Sequence, residues 1–128
     1  MIDRPYDKEV LEDGLVIFRI KSTAREHIDI WFQDVASVFA HAHEKHMPVR
    51  LLYDIRNIDL VTPYGVQKAE ELNKLPLSAD WRVATLVKNA FVANLVNYVK
   101  LVSLVPEVRD KSRVFSDEPE ALAWLRLP

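Results

Sequence analysis

The hydrophobic positions of the chain follow two different periods, and these alternate along the sequence. Two short apolar-rich runs, residues 6–11 and 15–20, flank the dipeptide Asp13-Gly14. An Asp-Gly pair between two strand-like runs favours a β-hairpin, because both residues tolerate the backbone conformations of a tight turn. We therefore predict an opening β-hairpin whose turn lies at Asp13 and Gly14.

A long amphipathic helix is predicted after the hairpin. Thr23 and Glu26 have the spacing of a capping box, in which two side chains satisfy free backbone donors at a helix start. The helix is expected to end near His46, because Pro48 disfavours helical backbone in the residue before it. Apolar residues recur between these ends at steps of three and four, which is typical of one buried helix face: Ile28, Trp31, Phe32, Val35, Phe39 and Ala42.

Further along the chain, short apolar runs alternate with helical patterns. Thr62-Pro63 predicts the start of a second helix, because threonine is a good N-cap and proline suits the first helical position. Pro76 is expected to end that helix. Two runs have the length and the apolar character of buried strands, namely residues 49–55 and 81–87, and residues 113–115 are predicted to form a short last strand.

Two more helices complete the predicted order. Asn89 is a candidate cap for a helix over residues 90–105, and Ser116 or Asp117 is a candidate cap for a last helix. Strands that alternate with helices favour a parallel sheet with right-handed crossovers. We therefore predict an α/β fold in a single domain of 128 residues. Its N-terminal β-hairpin is followed by alternating helices and strands, which form a mainly parallel central sheet flanked by four helices.

The composition excludes several classes of function. The chain has no cysteine, so disulfides, zinc–thiolate sites and thiol nucleophiles are ruled out. Its two glycines, Gly14 and Gly65, lie far apart, whereas nucleotide-binding loops need several glycines close together. The net charge of −2 argues against nucleic-acid binding, which needs a basic face. No serine lies in a nucleophile-elbow pattern. The sequence thus predicts no catalytic residue, no metal and no cofactor.

The opening residues and the longest apolar stretch of the chain both indicate where the protein is located. The opening residues 1–5 carry charges and a proline, which a secretory signal peptide would not have. The longest apolar stretch, residues 90–105, contains Asn94, Asn97 and Lys100 and is too short and too polar to span a bilayer. We expect a cytoplasmic protein without an integral membrane segment.

Two segments resemble a known family. Residues 113–125, RVFSDEPEALAWL, resemble the C-terminal signature of the SpoIIAA-like STAS domains, in which a short strand leads through acidic residues to an Ala-Leu-x-Trp-Leu helix. Residues 49–54, VRLLYD, resemble the second core strand of these domains, and the order of elements matches over nearly the whole chain. The resemblance implies a β/α superhelix of four turns and, in many members, a homodimer.

The resemblance also implies a regulatory role, with one departure. The founding members antagonise anti-sigma factors and are switched by phosphorylation of a serine in the turn that opens the second helix. That turn here is Thr62-Pro63-Tyr64-Gly65, in which the glycine matches but neither serine is present. The serine phospho-switch is therefore expected to be absent. The chain is most similar to the broader branch of small bacterial proteins, for which kinship with Sec14-type lipid carriers is also proposed.

The carboxyl ends of the predicted parallel strands are one candidate site for a ligand or partner. Ligands favour this edge of an open α/β sheet, where helix N-termini and cations attract an anion or a phosphorylated partner. The alternative is structural: the two candidate caps only cap, and the arginine pairs with Asp54 or Asp59. The residues expected at the edge are Asp54, Arg56, Thr62, Tyr64, Lys88 and Asn89.

The predicted helix over residues 90–105 is a second candidate, because apolar residues cover almost its whole circumference. A surface helix of a monomer should keep a polar face. Burial in the core, a dimer interface and a wall of an apolar pocket all explain this pattern. The residues assigned to such an interface or pocket are Phe91, Leu95, Tyr98, Val99 and Val102.

Two polar clusters have simpler explanations. Three histidines lie near the end of the first helix, where positive charge suits the helix dipole: His41, His43 and His46. Only two of them share a helix face, whereas zinc needs three or four converging ligands. Three acidic residues lie in the first turn of the last helix, where negative charge is favourable, and not in a catalytic cleft: Asp117, Glu118 and Glu120.

These observations lead to two main functional hypotheses, and an enzyme is a distant third, in which Tyr64, Asp54 and a histidine would converge in space. The first is a non-enzymatic regulatory or protein-interaction domain of STAS type, homodimeric and without the serine switch. The second is a carrier or sensor of a small apolar or amphiphilic, lipid-like ligand, bound between the sheet and the predicted helix over residues 90–105.

Overall fold

The computed structural model describes residues 5–58, 62–72, 80–89 and 111–128. The α/β class is confirmed, and three helices lie in these ranges. The third of the four predicted helices, over residues 90–105, and the predicted helix end at Pro76 lie outside the described residues. In chain order the elements are β1 (Tyr6–Val10), β2 (Val16–Ile20), α1 (Arg25–Lys45), β3 (Val49–Asp54), α2 (Pro63–Leu72), β4 (Trp81–Leu86), β5 (Ser112–Phe115) and α3 (Glu118–Leu125).

One sheet with the strand order β1-β2-β3-β4-β5 runs through the molecule. The strand β1 pairs with β2 in the antiparallel direction, and all later pairs are parallel. The predicted hairpin is confirmed: Gly14 has a positive φ of 86°, and the Leu11 amide donates to the Leu15 carbonyl at 2.8 Å. Only glycine adopts this backbone conformation without strain, which explains the position of the turn.

The helices α1 and α2 pack on one face of the sheet. The predicted inward face of α1 supplies Val35, Phe39 and Ala42, and the sheet contributes alternate residues of its strands, since successive side chains point to opposite faces. The buried set of this first core is Val16, Phe18, Val35, Phe39, Ala42, Val49, Leu51, Leu72, Trp81 and Val83.

The helix α3 covers the opposite face. Both faces of the central strands are therefore buried, and this explains why apolar residues occupy both faces of β3 and β4, although Arg50 and Arg82 interrupt the two runs. The buried set of this second core is Leu15, Ile17, Leu52, Ala84, Leu86, Ala121, Trp124 and Leu125.

The predicted capping box at the start of α1 is wrong. The N-cap residue is Ala24, and no side chain caps the helix there. The hydroxyl of Ser22 instead accepts a hydrogen bond from the Ala24 amide at 3.2 Å and lies 2.8 Å from Nδ1 of His27. This local turn moves the helix start one residue beyond Thr23. The predicted helix end is confirmed, since His46 is the C-cap with a left-handed φ of 56°.

Two of the other predicted caps are confirmed, at the starts of α2 and α3. Thr62 Oγ1 accepts from the Gly65 amide at 3.1 Å at the start of α2. Asp117 accepts from the Glu120 amide at 3.1 Å at the start of α3. Of the helices in the part of the chain that the structure describes, none has the length and apolar character needed to cross a membrane.

Candidate functional site

A buried carboxylate marks the carboxyl end of β3. Asp54 is only 3% exposed and lies beside Arg19 of β2 in the register of the parallel strands. Arg19 Nη1 donates to Asp54 at 2.8 Å. Arg56 donates to the same carboxylate from Nε and Nη2, both at 3.0 Å, and from its backbone amide at 3.1 Å. Asp54 thus accepts hydrogen bonds from two arginines.

Glu118, in the first turn of α3, completes this group. It accepts from Arg19 Nη1 at 2.7 Å and from Arg56 Nη2 at 3.3 Å. We call Arg19, Asp54, Arg56 and Glu118 the edge cluster. Its two cations and two anions balance, and it ties the hairpin, the central strand and the last helix together. Glu9 of β1 accepts a further hydrogen bond from Arg19 Nε at 3.4 Å. An anionic ligand at this edge would have to compete with Asp54 and Glu118 for both guanidinium groups.

The edge cluster controls the protonation of Asp54. Burial would raise the pKa of this carboxyl, but the hydrogen bonds from Arg56 and Arg19 outweigh burial and hold the pKa below its ordinary value. The hydrogen bond to Glu118 raises the pKa of Arg19. Both residues therefore stay charged at neutral pH.

A second polar group surrounds Tyr64 at the start of α2. The Tyr64 hydroxyl donates to the carboxylate of Asp29 on α1. The guanidinium carbon of Arg25 lies 4.7 Å from the centre of the Tyr64 ring, and Nζ of Lys68 lies 5.6 Å from it. The hydrogen bond to Asp29 raises the pKa of the Tyr64 hydroxyl, so the ring stays neutral. We call Arg25, Asp29, Tyr64 and Lys68 the tyrosine cradle.

The structure divides the six residues predicted at the sheet edge between different surroundings. Arg56 contacts Asp54 and also Glu118 of α3, whereas Tyr64 contacts α1 and Thr62 caps α2. Lys88 and Asn89 follow β4 as exposed residues, and the helix that Asn89 was predicted to cap lies outside the described residues. Of the two partners predicted for Arg56 in the structural alternative, Asp54 is the one observed, and Asp59 lies outside the described residues.

Sequence reasoning missed Arg19, Glu118, Arg25 and Asp29 as partners. Arg19 and Glu118 are 99 residues apart, and Asp29 and Tyr64 are 35 residues apart. No local pattern signals such contacts. The strand order together with the register of β2 against β3 would have been enough to find one of them, because the register puts Arg19 opposite Asp54.

A row of aromatic rings crosses the α1 side of the sheet. Tyr6 lies 5.4 Å from Phe18, Phe18 lies 6.2 Å from Tyr53, and Tyr53 lies 5.3 Å from Trp31, measured between ring centres. Burial raises the pKa of the Tyr53 hydroxyl. Trp31 Nε1 is buried without a hydrogen-bond partner in the part of the chain that the structure describes. A buried donor without an acceptor is costly, so this end of the row would favour an acceptor atom.

Two further predictions concern residues away from these groups. The three histidines at the end of α1 are exposed, and within residues 5–58, 62–72, 80–89 and 111–128 no group of three metal-ligating side chains could hold an ion. The set predicted to form a dimer interface or apolar pocket lies outside the described residues: Phe91, Leu95, Tyr98, Val99 and Val102.

Comparison with known proteins adds no assignment: the chain matches no family model and no curated protein.

Proposed function

We propose that this chain is a non-enzymatic regulatory or protein-interaction domain of STAS type, which acts as a homodimer and lacks the serine switch. The proposal is supported by the resemblance in residues 49–54 and 113–125 and by a sheet whose strands are adjacent in chain order. That strand order is compatible with the β/α superhelix that the resemblance implies. The Thr62-Pro63-Tyr64-Gly65 turn then serves as a constitutive contact surface.

The tyrosine cradle is the observation that carries the proposal. Its aromatic ring is half-buried, and Asp29 and Arg25 fix it from α1, so little side-chain entropy remains to be lost when a partner binds. Tyrosine and arginine are enriched among the residues that dominate binding energy in protein interfaces. A rigid tyrosine with two cations near its ring is therefore suited to recognition.

Site-specific photo-crosslinking in the source cells tests this surface. Gln67 is exposed one helical turn after Tyr64, and we expect a photo-reactive phenylalanine at position 67 to capture a specific protein. The same amino acid at Ala123, exposed on α3, is the matched control. Tyr64→Ala should reduce capture from position 67 at least about tenfold, the effect of one strong interface residue.

The control variant Tyr64→Phe separates the ring from its hydroxyl. It keeps the stacking with Arg25 and loses the hydrogen bond to Asp29, so capture should fall less than with alanine. Capture that is identical from positions 67 and 123, or that does not respond to Tyr64→Ala, would contradict a role of the cradle in recognition.

The homodimer is a separate part of the proposal. We expect light scattering after size exclusion at micromolar concentration to give twice the chain mass of 14.8 kDa. If the predicted helix over residues 90–105 forms the interface, Val99→Asp should convert the dimer to a monomer, because a buried charge at the interface has no counter-ion. A monomeric wild-type protein would overturn this part.

Trp31 favours a second candidate function, the carrier of a small apolar or amphiphilic ligand. Its buried Nε1 lacks an acceptor in the described part of the chain and lies at the end of the aromatic row. An apolar ligand with one oxygen atom would satisfy this donor, and pockets for such ligands combine an aromatic wall with a few polar groups.

Native mass spectrometry of the protein purified from its source cells tests the carrier. We expect a bound molecule of constant mass, and a lower occupancy in Trp31→Phe, which keeps an aromatic ring but removes the N–H donor. The carrier function fails if no molecule co-purifies and if a panel of fatty acids and phospholipids leaves the melting temperature unchanged.

A further inference from the structure

Both edges of the sheet expose the backbone groups of alternate residues, but the two edges differ in how their charges are arranged. At the β1 edge, the Leu11 amide donates to Leu15 and the Pro5 carbonyl accepts from Lys21, so odd-numbered residues point their backbone groups toward β2. Because these directions alternate along a strand, the even-numbered residues Lys8 and Val10 point theirs away from the sheet.

Self-pairing of the β1 edge is opposed by charge. Two copies of β1 related by a two-fold axis and centred on Lys8 would set Lys8 against Lys8 and Asp7 against Glu9. A shift by one residue toward either end sets Asp7 against Asp7 or Glu9 against Glu9. Like charges directly opposite each other destabilise a pair of strands, and charged edges are a common protection against such pairing.

At the β5 edge, in contrast, the charges do not oppose the pairing of two copies. The Phe115 carbonyl accepts from the Val87 amide at 2.8 Å, so Phe115 points its backbone groups toward β4. Ser112 and Val114 therefore point their amides and carbonyls away from the sheet. The side chain of Val114 is half-buried, and this strand is the last in the sheet order of the described residues.

A two-fold axis through Val114 produces compatible cross-strand pairs. Val114 would face the partner's Val114, Ser112 the partner's Ser116, and Arg113 the partner's Phe115. Arg113 already lies 5.3 Å from the ring centre of Trp124, and Phe115 lies 5.7 Å from the same ring. In the pair each arginine would lie between its own indole and the partner's phenyl ring, a favourable cation–π arrangement. No pair of like charges occurs in this register.

We propose that β5 is the homodimer interface and that it binds β5 of a second copy in the antiparallel direction, in the register centred on Val114. The two five-stranded sheets then form one continuous sheet, and the interface is isologous, as a two-fold dimer requires. This inference rests on the homodimer part of the proposed function and names the surface that forms it.

Proline at position 114 is the decisive variant. It removes an amide that points away from β4, so the five-stranded sheet keeps its hydrogen bonds, and proline is tolerated at such edge positions. We expect light scattering to show Val114→Pro at the chain mass of 14.8 kDa and the wild type at twice that mass. Val10→Pro, the equivalent change at the β1 edge, should remain a dimer.

A cysteine at the proposed two-fold axis tests the register independently. The chain has no cysteine, so Val114→Cys introduces a single thiol. Directly opposed residues in a hydrogen-bonded antiparallel pair have Cα atoms about 5.5 Å apart, within the range of about 4.4–6.8 Å that a disulfide spans. Mild oxidation should give a covalent dimer with Val114→Cys and none with Val10→Cys.

The outcomes separate this inference from the proposal on which it rests. A wild-type dimer that persists in Val114→Pro, or that is lost in Val99→Asp without any Val114→Cys crosslink, overturns the β5 interface and leaves the homodimer standing. A monomeric wild type overturns both. If far-UV circular dichroism shows that Val114→Pro is unfolded, the crosslink decides, and its absence in a dimeric Val114→Cys protein contradicts the inference.

Discussion

Among the residues of the edge cluster, Asp54 is the charged residue that depends most on its partners. It is buried, and its charge is compensated by Arg19 and Arg56. Removing one member of a buried ion pair costs more than the pair contributes, because the remaining charges lose their partner. We expect Asp54→Asn to lower the free energy of unfolding at pH 7 by about 3 kcal/mol in urea titrations. Asp80→Asn, at an exposed carboxylate paired with Arg50, is the control and should cost less than about 1 kcal/mol.

The pH dependence of stability follows from the same carboxylate. The pKa of Asp54 in the folded protein lies below its value in the unfolded chain, so its contribution is complete above the unfolded pKa. The contribution is lost as the pH falls through the folded pKa. The difference in unfolding free energy between wild type and Asp54→Asn should therefore shrink below about pH 4. A difference that stays constant down to pH 2 would contradict a charged Asp54 in the native state.

Gly14 is the residue on which the hairpin turn depends. Its φ of 86° is unfavourable for residues with a Cβ atom, although no atom lies within 4 Å of a Cβ built at this position. The penalty is thus conformational and not steric crowding by neighbours. We expect Gly14→Ala to cost about 1–2 kcal/mol, and Gly14→Asn to cost less, because asparagine tolerates positive φ. Equal costs in urea titrations of the two variants would argue against this explanation.

At the scale of single elements, motifs of a few residues gave correct predictions where contacts between residues close in sequence determine the structure. Thr62 and Asp117 cap α2 and α3 as predicted, and Gly14 forms the hairpin turn. The prediction failed at α1, where the helix begins one residue later with Ala24 as N-cap, and the hydroxyl of Ser22 accepts from the Ala24 amide. A serine side chain that bonds to the backbone in a local turn offers the chain an alternative to a capped helix start, and a four-residue motif does not contain this information.

Because no side chain caps the start of α1, two substitutions there should have different effects from those that a capping box at Thr23 would predict. Ala24 is the N-cap and has no side-chain oxygen, so Ala24→Ser should stabilise the protein by about 0.5–1 kcal/mol in thermal and urea unfolding. Thr23→Ala should have almost no effect, whereas a functioning capping box would make it cost about 1 kcal/mol. If Thr23→Ala is destabilised and Ala24→Ser has the stability of the wild type, the result would support the capping box and contradict an uncapped helix start.

At the scale of the whole molecule, the alternation of patterns predicted the sheet but not the side-chain contacts across it. Apolar residues at successive positions of β3 and β4 indicated parallel strands that are buried on both faces. The structure confirms this, because each of the two strands contributes residues to both cores. The edge cluster forms only because the strand order and the packing of α3 on the sheet bring its residues together. Its hydrogen bonds join residues up to 99 positions apart. The tyrosine cradle needs the packing of α1 against α2. Neither relation is encoded in a local period.

The two cores share one sheet, and this leads to a prediction about cooperativity. Leu51 and Leu52 are adjacent on β3, both fully buried, and point into the first and the second core respectively. Each leucine-to-alanine change should cost about 2–5 kcal/mol through lost burial and a residual cavity. Because the strand between them is common to both cores, we expect each variant to unfold in a single transition with an unchanged urea m-value.

Two probes are sufficient to test this coupling. Trp31 and Trp81 lie on the side of the first core and Trp124 in the second, so Trp124→Phe leaves a fluorescence signal from the first core alone. In that background, fluorescence and far-UV circular dichroism should report the same urea midpoint for Leu52→Ala, although the cavity is on the other face. A circular-dichroism loss that precedes the fluorescence change would mean that α3 detaches independently, and the edge cluster of Arg19, Asp54, Arg56 and Glu118 would then be too weak to couple the last helix to the sheet.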